Sequence, residues 1–252
     1  MAEISCERLT KEYFERQKDR TLATLNRIVG RDPIANGRVI PEARNLTLHD
    51  GRRLDASVMF LDICKFSQRP SWTEQEQETL LRILSLFFNE MIRIIEDYGG
   101  VVEKNTGDGL MAYFTRAPND GTSPQQRALS AALTMFNAAD QLINPIIASS
   151  ELDPIQFRIC IDHGPITVAK VGAARGFSGI VAIGTTANVA SKMLAIADPN
   201  TILLGSMMLE GIPEAWRRSY LRLKTMETGW IYRATNQPYA YWEYIGRWME
   251  PR

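Results

Sequence analysis

The chain has 252 residues, 45% of them hydrophobic, which is enough to bury a sizeable core in one domain. Its 29 basic and 29 acidic residues cancel, which argues against a nucleic-acid partner. Cys6, Cys64 and Cys160 form no C-x-x-C pair, so neither a zinc knuckle nor a disulfide framework is expected. The first thirty residues have no apolar signal core, and no apolar run reaches about 18 residues, so we expect a cytoplasmic protein without a membrane span.

In chain order, the pattern predicts an amphipathic helix over 7–29 and then a turn-rich stretch over 31–53. The apolar run 56–63 predicts a buried strand, and 74–98 predicts a long helix that ends at Gly99. The remaining predicted elements are strands at 101–105 and 110–114 joined by an Asp-Gly turn, a helix at 124–148, strands at 156–164 and 165–172, a flexible loop at 172–179, a helix at 185–197, a strand at 201–204, and a short helix with late strands near 219–224 and 239–245.

This order predicts an α+β fold of the ferredoxin-like type, in which helices cover one face of a mostly antiparallel sheet. We divide the chain into an N-terminal helical extension over 1–53, a central core over 54–205 and a C-terminal part of the same domain over 206–252. His163 lies in an Asp-His-Gly sequence that we interpret as a structural turn between strands.

Two acidic side chains stand where charge is costly. Asp62 ends the apolar strand, and Asp108 lies at the tip of the hairpin that follows. If that strand lies beside the hairpin, both carboxylates share one edge of the sheet and repel each other unless a cation joins them. A pair of Mg²⁺ or Mn²⁺ ions would relieve the repulsion and clamp a triphosphate. The backbone N–H groups of the turn that follows, at Ile63, Cys64, Lys65 and Phe66, could cradle its phosphates.

Four motifs together resemble the class III adenylate and guanylate cyclases. They are F-L-D-I-x-x-F from Phe60 to Phe66, K-x-T-G-D-G from Lys104 to Gly109, F-R-x-x-I-x-H-G from Phe157 to Gly164, and G-x-x-x-N-x-A-S-K from Gly184 to Lys192. Each motif is weak alone, but their order and spacing match over about residues 55 to 205. The resemblance implies an enzyme that converts a nucleoside triphosphate to a 3′,5′-cyclic monophosphate and pyrophosphate.

The resemblance also implies roles for particular residues. Asp62 and Asp108, with the Ile63 carbonyl, would bind two divalent cations, and Arg158 would contact the β- and γ-phosphates. Asn188 would orient the ribose, and Lys192 would stabilise charge at the reacting phosphate. Lys104 and Val181 would face the base. In this family the metal aspartates come from one subunit and the Asn/Lys pair from the other, which implies a head-to-tail homodimer with two shared sites.

The sequence departs from the family pattern at two of these positions. Lys192 stands where arginine is usual, and it keeps the charge but loses the bidentate fork. Val181 stands where purine-specific members carry a polar side chain that pairs with the base. A purine amino group buried against valine would lose its partner. With Lys104 present and the polar residue at position 181 replaced by valine, the base-binding pair resembles that of the pyrimidine cyclases of bacterial anti-phage defence. Those enzymes make cyclic UMP or cyclic CMP for a separate effector protein. Of the two pyrimidine substrates, we favour UTP over CTP.

Two alternatives remain open. The first is an adenylate cyclase whose base pocket uses other residues. The second is a catalytically dead module of the cyclase fold that only binds nucleotide. The second is disfavoured because Asp62, Asp108, Arg158 and Asn188 are all present. The sequence identifies neither the activating signal nor the role of the N-terminal helix.

Overall fold

The computed structural model describes residues 3–4, 9–29, 51–105, 107–116, 121–174, 177–224, 230–232 and 236–249, with the backbone alone for 3–4, 27–29, 51–53, 104, 169–174, 177–181 and 232. The described strands of the central sheet are β1 (Gly51–Ile63), β2 (Gly100–Asn105), β3 (Gly109–Thr115), β4 (Phe157–Ala174), β5 (Phe177–Ile183), β6 (Ile202–Gly205), β7 (Leu221–Lys224) and β8 (Tyr241–Tyr244). They lie in the order β2-β3-β1-β4-β6-β8-β7, and β5 pairs with β4. All these pairs are antiparallel except β4 with β6. This is the predicted α+β class.

Six helices flank the sheet in the described part of the chain. They are α1 (Lys11–Val29), α2 (Glu74–Asp97), α3 (Pro124–Ala138), α4 (Asn144–Ala148), α5 (Thr185–Leu194) and α6 (Glu214–Tyr220). The predicted helix over 124–148 is therefore α3 and α4, which a single π turn over Ala139–Ile143 joins.

The central strand β1 explains how the sheet separates two cores. Its side chains alternate, so Met59, Leu61 and Ile63 contact the large core under α2 and α3. Val58 and Phe60 point to the opposite face. Asp62, two residues after Phe60, therefore lies on that opposite face as well.

The start of α2 is fixed by its own sequence. Thr73 Oγ1 accepts a hydrogen bond from the Glu76 N–H, 3.2 Å away, and the Glu76 carboxylate accepts one from the Thr73 N–H, 2.9 Å away. This capping box satisfies donors that would otherwise be unpaired at the helix N-terminus. The capping box thus fixes the residue at which α2 begins after the loop that follows β1.

The position of α5 corrects the prediction that helices cover only one face. Val189, Ala190 and Met193 of α5 pack with Cys160 and Leu203 in a second core, on the face opposite α2 and α3. The apolar spacing of a helix shows that one side is buried, but it does not show which face of a sheet buries it.

The predicted pair of strands over 156–172 is one continuous strand, β4, of 18 residues. Asp162, His163 and Gly164 are therefore not a turn, and they pair across to β1 at Val58, Ser57 and Ala56. Gly164 has a φ of 151°, and a Cβ there would meet Thr186 Oγ1 at 2.8 Å. The absence of a side chain at Gly164 therefore lets α5 approach β4 closely while β4 stays paired with β1.

The predicted loop over 172–179 was also wrong for the residues that the structure describes. Residues 172–174 continue β4, and 177–179 belong to β5, which runs back beside it. β4 and β5 pair antiparallel, and residues 175–176 between them lie outside the described residues. Most of the predicted stretch 31–53 also lies outside them, although β1 already begins at Gly51.

Helix α1 packs against α2 of the same chain. Arg20 donates to both oxygens of the fully buried Glu90 carboxylate, at 2.8 to 3.1 Å, and it also pairs with Asp97. Asn89 donates to Thr24 Oγ1 at 2.7 Å. A buried carboxylate needs such a partner. The N-terminal helix is thus held on the domain by charge as well as by apolar contact.

The C-terminal residues share the core of the sheet. Trp248 is buried, its Nε1 donates to Thr134 Oγ1 at 2.8 Å, and its ring packs edge-on against Trp216. Trp248 thus belongs to the large core, with Trp216 packed against it. The domain boundaries at 53 and 205 remain predictions.

Candidate active site

The register of the sheet brings the two predicted aspartates together. Asp62 is the partner of Gly109 across β1 and β3, and the Ile63 N–H donates to the Asp108 carbonyl at 2.8 Å. Asp108 therefore comes directly beside the end of β1, and both aspartates are half-buried. The sequence predicted that these two residues share one edge of the sheet, and they do.

Arg158 reaches the same edge from the other neighbour of β1. It is the partner of Asp62 across β1 and β4, and its Nε and Nη2 donate to Asp62 Oδ2 at 2.9 and 2.7 Å. Its Nη1 donates to the Ala197 carbonyl at 3.1 Å, just beyond α5. The Asp62 carboxylate is thus already paired with a cationic group, the guanidinium of Arg158.

The turn after β1 holds the predicted phosphate-binding residues. Lys65 adopts a left-handed conformation, with a φ of 55°, and a short 3₁₀ turn follows over Phe66–Gln68. The Cys64 N–H donates to the Gln156 carbonyl at 2.8 Å, so that amide is engaged. Within the described chain, the amides of Lys65 and Phe66 donate to no recorded acceptor. They are the amides of this turn that are free to bind an anion.

An open cavity of about 840 Å³ adjoins this turn. Cys64 and Lys65 line it together with the first turns of α2 and residues 151–156. Burial raises the pKa of the Cys64 thiol, so this cysteine stays protonated at neutral pH. Leu80 and Ile83 line the α2 side of the cavity.

Asn188 and Lys192 lie on the exposed side of α5, one helical turn apart. Helix α5 begins beside Pro165, whose carbonyl accepts from Thr186 Oγ1 at 3.4 Å, and the chain beyond it reaches Arg158 at Ala197. Among the described residues, Asp62 pairs with Arg158, and neither Asn188 nor Lys192 forms a hydrogen bond or ion pair with Asp62 or Asp108.

The predicted base-reading residues are placed only by their backbone. Lys104 pairs with Met111 directly after a register shift in β2, and Val181 in β5 pairs with Ala169. Their side chains lie outside the described part of the structure, so their roles remain predictions.

Asp162 is a buried acid that the sequence analysis missed. It is only 4% exposed, and burial raises its pKa to about 7, although the His163 backbone N–H and the Tyr239 hydroxyl act in the opposite direction. A Cβ at Gly205 would lie 2.1 Å from Asp162 Oδ1 and 2.3 Å from the Tyr239 hydroxyl. Only glycine fits there. Nothing in an Asp-His-Gly sequence distinguishes this buried carboxylate from a turn residue.

His163 is structural, as interpreted from the sequence. Its Nδ1 lies 3.0 Å from Ser57 Oγ, and its Nε2 lies 3.4 Å from Asp55 Oδ2. Burial lowers its pKa, so the ring is neutral near pH 7. It pairs with Ser57, five residues before Asp62 on β1 and roughly 17 Å away along the strand, which is too far to act as a base there. His49, the second histidine, lies outside the described residues.

The donor set at the aspartate edge fits a hard divalent cation. Among the described residues, no group of three or more His, Cys, Asp or Glu side chains is arranged to hold a metal ion. A metal at Asp62 and Asp108 would therefore complete its shell with backbone oxygen, such as the Ile63 carbonyl, and with ligand or water oxygen. Mg²⁺ and Mn²⁺ accept such shells, whereas zinc prefers nitrogen and sulfur.

Residues 50–214 match the family model of the adenylate and guanylate cyclase catalytic domain. The chain belongs to this family. All four motifs described above lie inside the matched range. Across the described residues, no helix has both the length and the apolar character that a membrane crossing requires.

Relatives of this cyclase domain occur in mycobacteria. The Mycobacterium tuberculosis proteins Rv1319c and Rv1318c are 28% and 27% identical to it over 204 residues, which is 80% of this chain. The chain spans about a third of their length, 35% and 34% respectively.

Two solved cyclase structures share the fold. The guanylyl cyclase Cya2 superimposes with a TM-score of 0.64 at 20% identity, covering 78% of this chain and 94% of that one. The adenylyl cyclase CyaB from P. aeruginosa gives a TM-score of 0.62 at 23% identity, covering 78% and 96%. These likenesses establish the class III cyclase fold.

Proposed function

We propose that this chain forms a head-to-tail homodimer that cyclises a pyrimidine nucleoside triphosphate, with UTP favoured over CTP. The observation that carries the proposal is the division of the site. Asp62 and Asp108 meet at one end of the sheet and form one half-site, whereas Asn188 and Lys192 form a second, exposed half-site on α5 that contacts neither aspartate in the described part of the chain. A second copy of the chain, related by a two-fold axis, could complete both half-sites.

In the proposed reaction, the ribose 3′ oxygen attacks the α-phosphorus in line, the bond from that phosphorus to the β-phosphate oxygen breaks, and pyrophosphate leaves. Two divalent cations held by Asp62 and Asp108 would supply charge stabilisation and activation of the 3′ hydroxyl. The hydroxyl proton passes to solvent. No histidine base is required, which agrees with the buried and neutral His163.

The other residues act by position and charge. Arg158 and the amides of Lys65 and Phe66 hold the leaving phosphates, and Asn188 of the second subunit orients the ribose. Lys192, one turn further along α5, places a cation at the reacting phosphate, although without the two-pronged contact of an arginine. Catalysis of this kind depends on pre-oriented charge rather than on covalent chemistry.

The choice of base rests on Lys104 and Val181. A lysine can donate to a uracil or cytosine carbonyl, and a valine offers no partner to a purine amino group. We propose further that the cyclic nucleotide acts as a second messenger in anti-phage defence, where a separate effector protein binds it. This last step rests on the resemblance of these two positions to those of the pyrimidine cyclases.

The direct test incubates purified protein with each of the four ribonucleoside triphosphates and Mn²⁺, and identifies the products by mass spectrometry. We expect cyclic UMP, with less cyclic CMP and no cyclic AMP. Cyclic AMP as the main product would instead make the chain an adenylate cyclase. If no triphosphate gave a cyclic product, the catalytically dead module would be the correct description.

The contribution of Val181 can be measured separately. Val181→Asp should raise the kcat/KM for ATP relative to UTP by about 10-fold or more, because a carboxylate can accept the exocyclic amino group of adenine. Val181→Ile, which keeps an apolar strand residue, serves as the control and should leave the ratio unchanged. An unaltered preference in both variants would show that position 181 does not read the base.

A further inference from the structure

All three guanidinium nitrogens of Arg158 are engaged. Nε and Nη2 both donate to Oδ2 of Asp62, and Nη1 donates to the Ala197 carbonyl. The partners lie on adjacent strands in direct register, so the ion pair needs no backbone adjustment. Arg158 thus holds the very carboxylate that the proposed function assigns to the cation.

The pair is partly removed from water. The side chains of Arg158 and Asp62 are 27% and 22% exposed. At such sites charge interactions are less screened than at the surface, and a paired arginine with correct geometry is strongly held. A divalent ion on the same oxygen would approach the guanidinium closely, and the two like charges would repel.

We propose that Arg158 competes with the divalent cation for Asp62 in the nucleotide-free chain, and that the triphosphate relieves the competition by drawing the guanidinium onto its own oxygens. The metal ion and the nucleotide therefore load together, and neither binds well alone. This inference rests on the proposed function, and it assigns Arg158 a second role, before chemistry, in addition to holding phosphate.

Lys65 provides a matched comparison. It also lies close to this edge, at the second residue after Ile63, and it carries the same charge. Its side chain is exposed, and within the described residues it forms no ion pair. Removing the Lys65 charge changes the local field without freeing Asp62. A comparison of the two positions thus separates release of the carboxylate from a general electrostatic effect.

The test measures the affinity of nucleotide-free protein for Mn²⁺. The electron paramagnetic resonance signal of free Mn²⁺ reports how much of the ion remains unbound. Arg158→Gln should bind Mn²⁺ at least about 10-fold more tightly than the unaltered protein. Lys65→Gln should change the affinity by less than about 3-fold, since exposed charges are screened by salt. The double variant Asp62→Asn/Arg158→Gln should lose the tight site, which places the ion at Asp62.

Equal or weaker Mn²⁺ binding by Arg158→Gln would overturn the inference, and so would an equal gain in Lys65→Gln. Circular dichroism checks that each variant is folded. If Arg158→Gln does not fold, Arg158→Lys replaces it; that variant loses the fork, should tighten Mn²⁺ binding several-fold, and overturns the inference if it does not. This readout needs no turnover. A protein that makes cyclic nucleotide but fails here loses only the inference, and one that passes here but makes no product loses only the proposed function.

Discussion

Asp62→Ala is expected to lower kcat/KM at least about 1,000-fold, because it removes one of the two carboxylates that would hold the catalytic cations. The fold should survive, since Asp62 lies at the end of β1 and Arg158 keeps its bond to the Ala197 carbonyl. Product formation with the preferred triphosphate measures the activity, and size-exclusion chromatography checks the assembly. Full activity in a folded variant would remove Asp62 from the metal site.

Asp55→Ala is the control for this substitution. Asp55 lies on the same strand, and its side chain is 75% exposed, beside His163 rather than at the metal edge. Its removal should change kcat/KM by less than about 3-fold. If Asp55→Ala were as inactive as Asp62→Ala, a general effect on β1 would explain both results.

Because each proposed active site combines residues of both subunits, a second variant should be able to restore activity to Asp62→Ala. Asn188→Ala should also be inactive, since its ribose contact is lost. In a mixed dimer of the two variants, one active site contains both substitutions and the other contains neither. Co-expression at equal levels should therefore restore about a quarter of the normal activity, since half of the dimers are mixed and each has one intact site. Absence of any recovery in verified mixed dimers would contradict the division of the site between subunits.

The second large effect concerns stability and the buried acid Asp162. The folded chain holds the pKa of Asp162 at about 7, against an ordinary value of 3.8. Between these two values the folded state binds a proton that the unfolded state has released, so stability falls as pH rises through this window. The full difference amounts to about 4 kcal/mol or less at pH 8. Asp162→Asn cannot ionise, so its stability relative to the unaltered chain should increase from pH 5 to pH 8.

Urea unfolding at pH 5, 6, 7 and 8 measures this difference. His163 acts in the opposite direction, because its lowered pKa favours the folded state as pH rises, but this contribution cancels when the variant and the unaltered chain are compared at each pH. Asp153→Asn, at an exposed carboxylate, should show no such trend. Parallel pH profiles for Asp162→Asn and the unaltered chain would contradict a raised pKa of Asp162, because a carboxyl that ionises alike in the folded and unfolded chain adds no pH dependence to the stability.

The elements nearest the site could be predicted because local chemistry determines them. The apolar run of β1, the capping residues of α2 and the Asp-Gly turn after β2 each specify their structure within a few residues. The meeting of Asp62 and Asp108 was predicted on the condition that β1 lies beside the hairpin of β2 and β3, and the pairing of β1 with β3 meets that condition. The family motifs then assigned chemical roles to residues whose strands and helices the hydrophobic pattern had already predicted.

Features that depend on distant residues could not be predicted. The ion pair of Arg158 with Asp62 requires the register of two strands 96 residues apart. The face that α5 covers depends on where the antiparallel pair of β4 and β5 leaves the sheet, which hydrophobic spacing does not encode. Asp162 reads as a turn residue until Tyr239 and Gly205, from the far end of the chain, are seen to enclose it.

The hydrogen bond from Arg158 to the Ala197 carbonyl joins the two half-sites of one subunit. One half-site serves the active centre on one side of the proposed dimer, and the helix ending near Ala197 serves the other. If the triphosphate draws Arg158 away as we propose, the residues after α5 lose this hydrogen bond, and α5 carries Asn188 and Lys192 for the other site of the proposed dimer. Occupancy of one site would then change the support of the other, and saturation curves for the triphosphate should depart from a simple hyperbola.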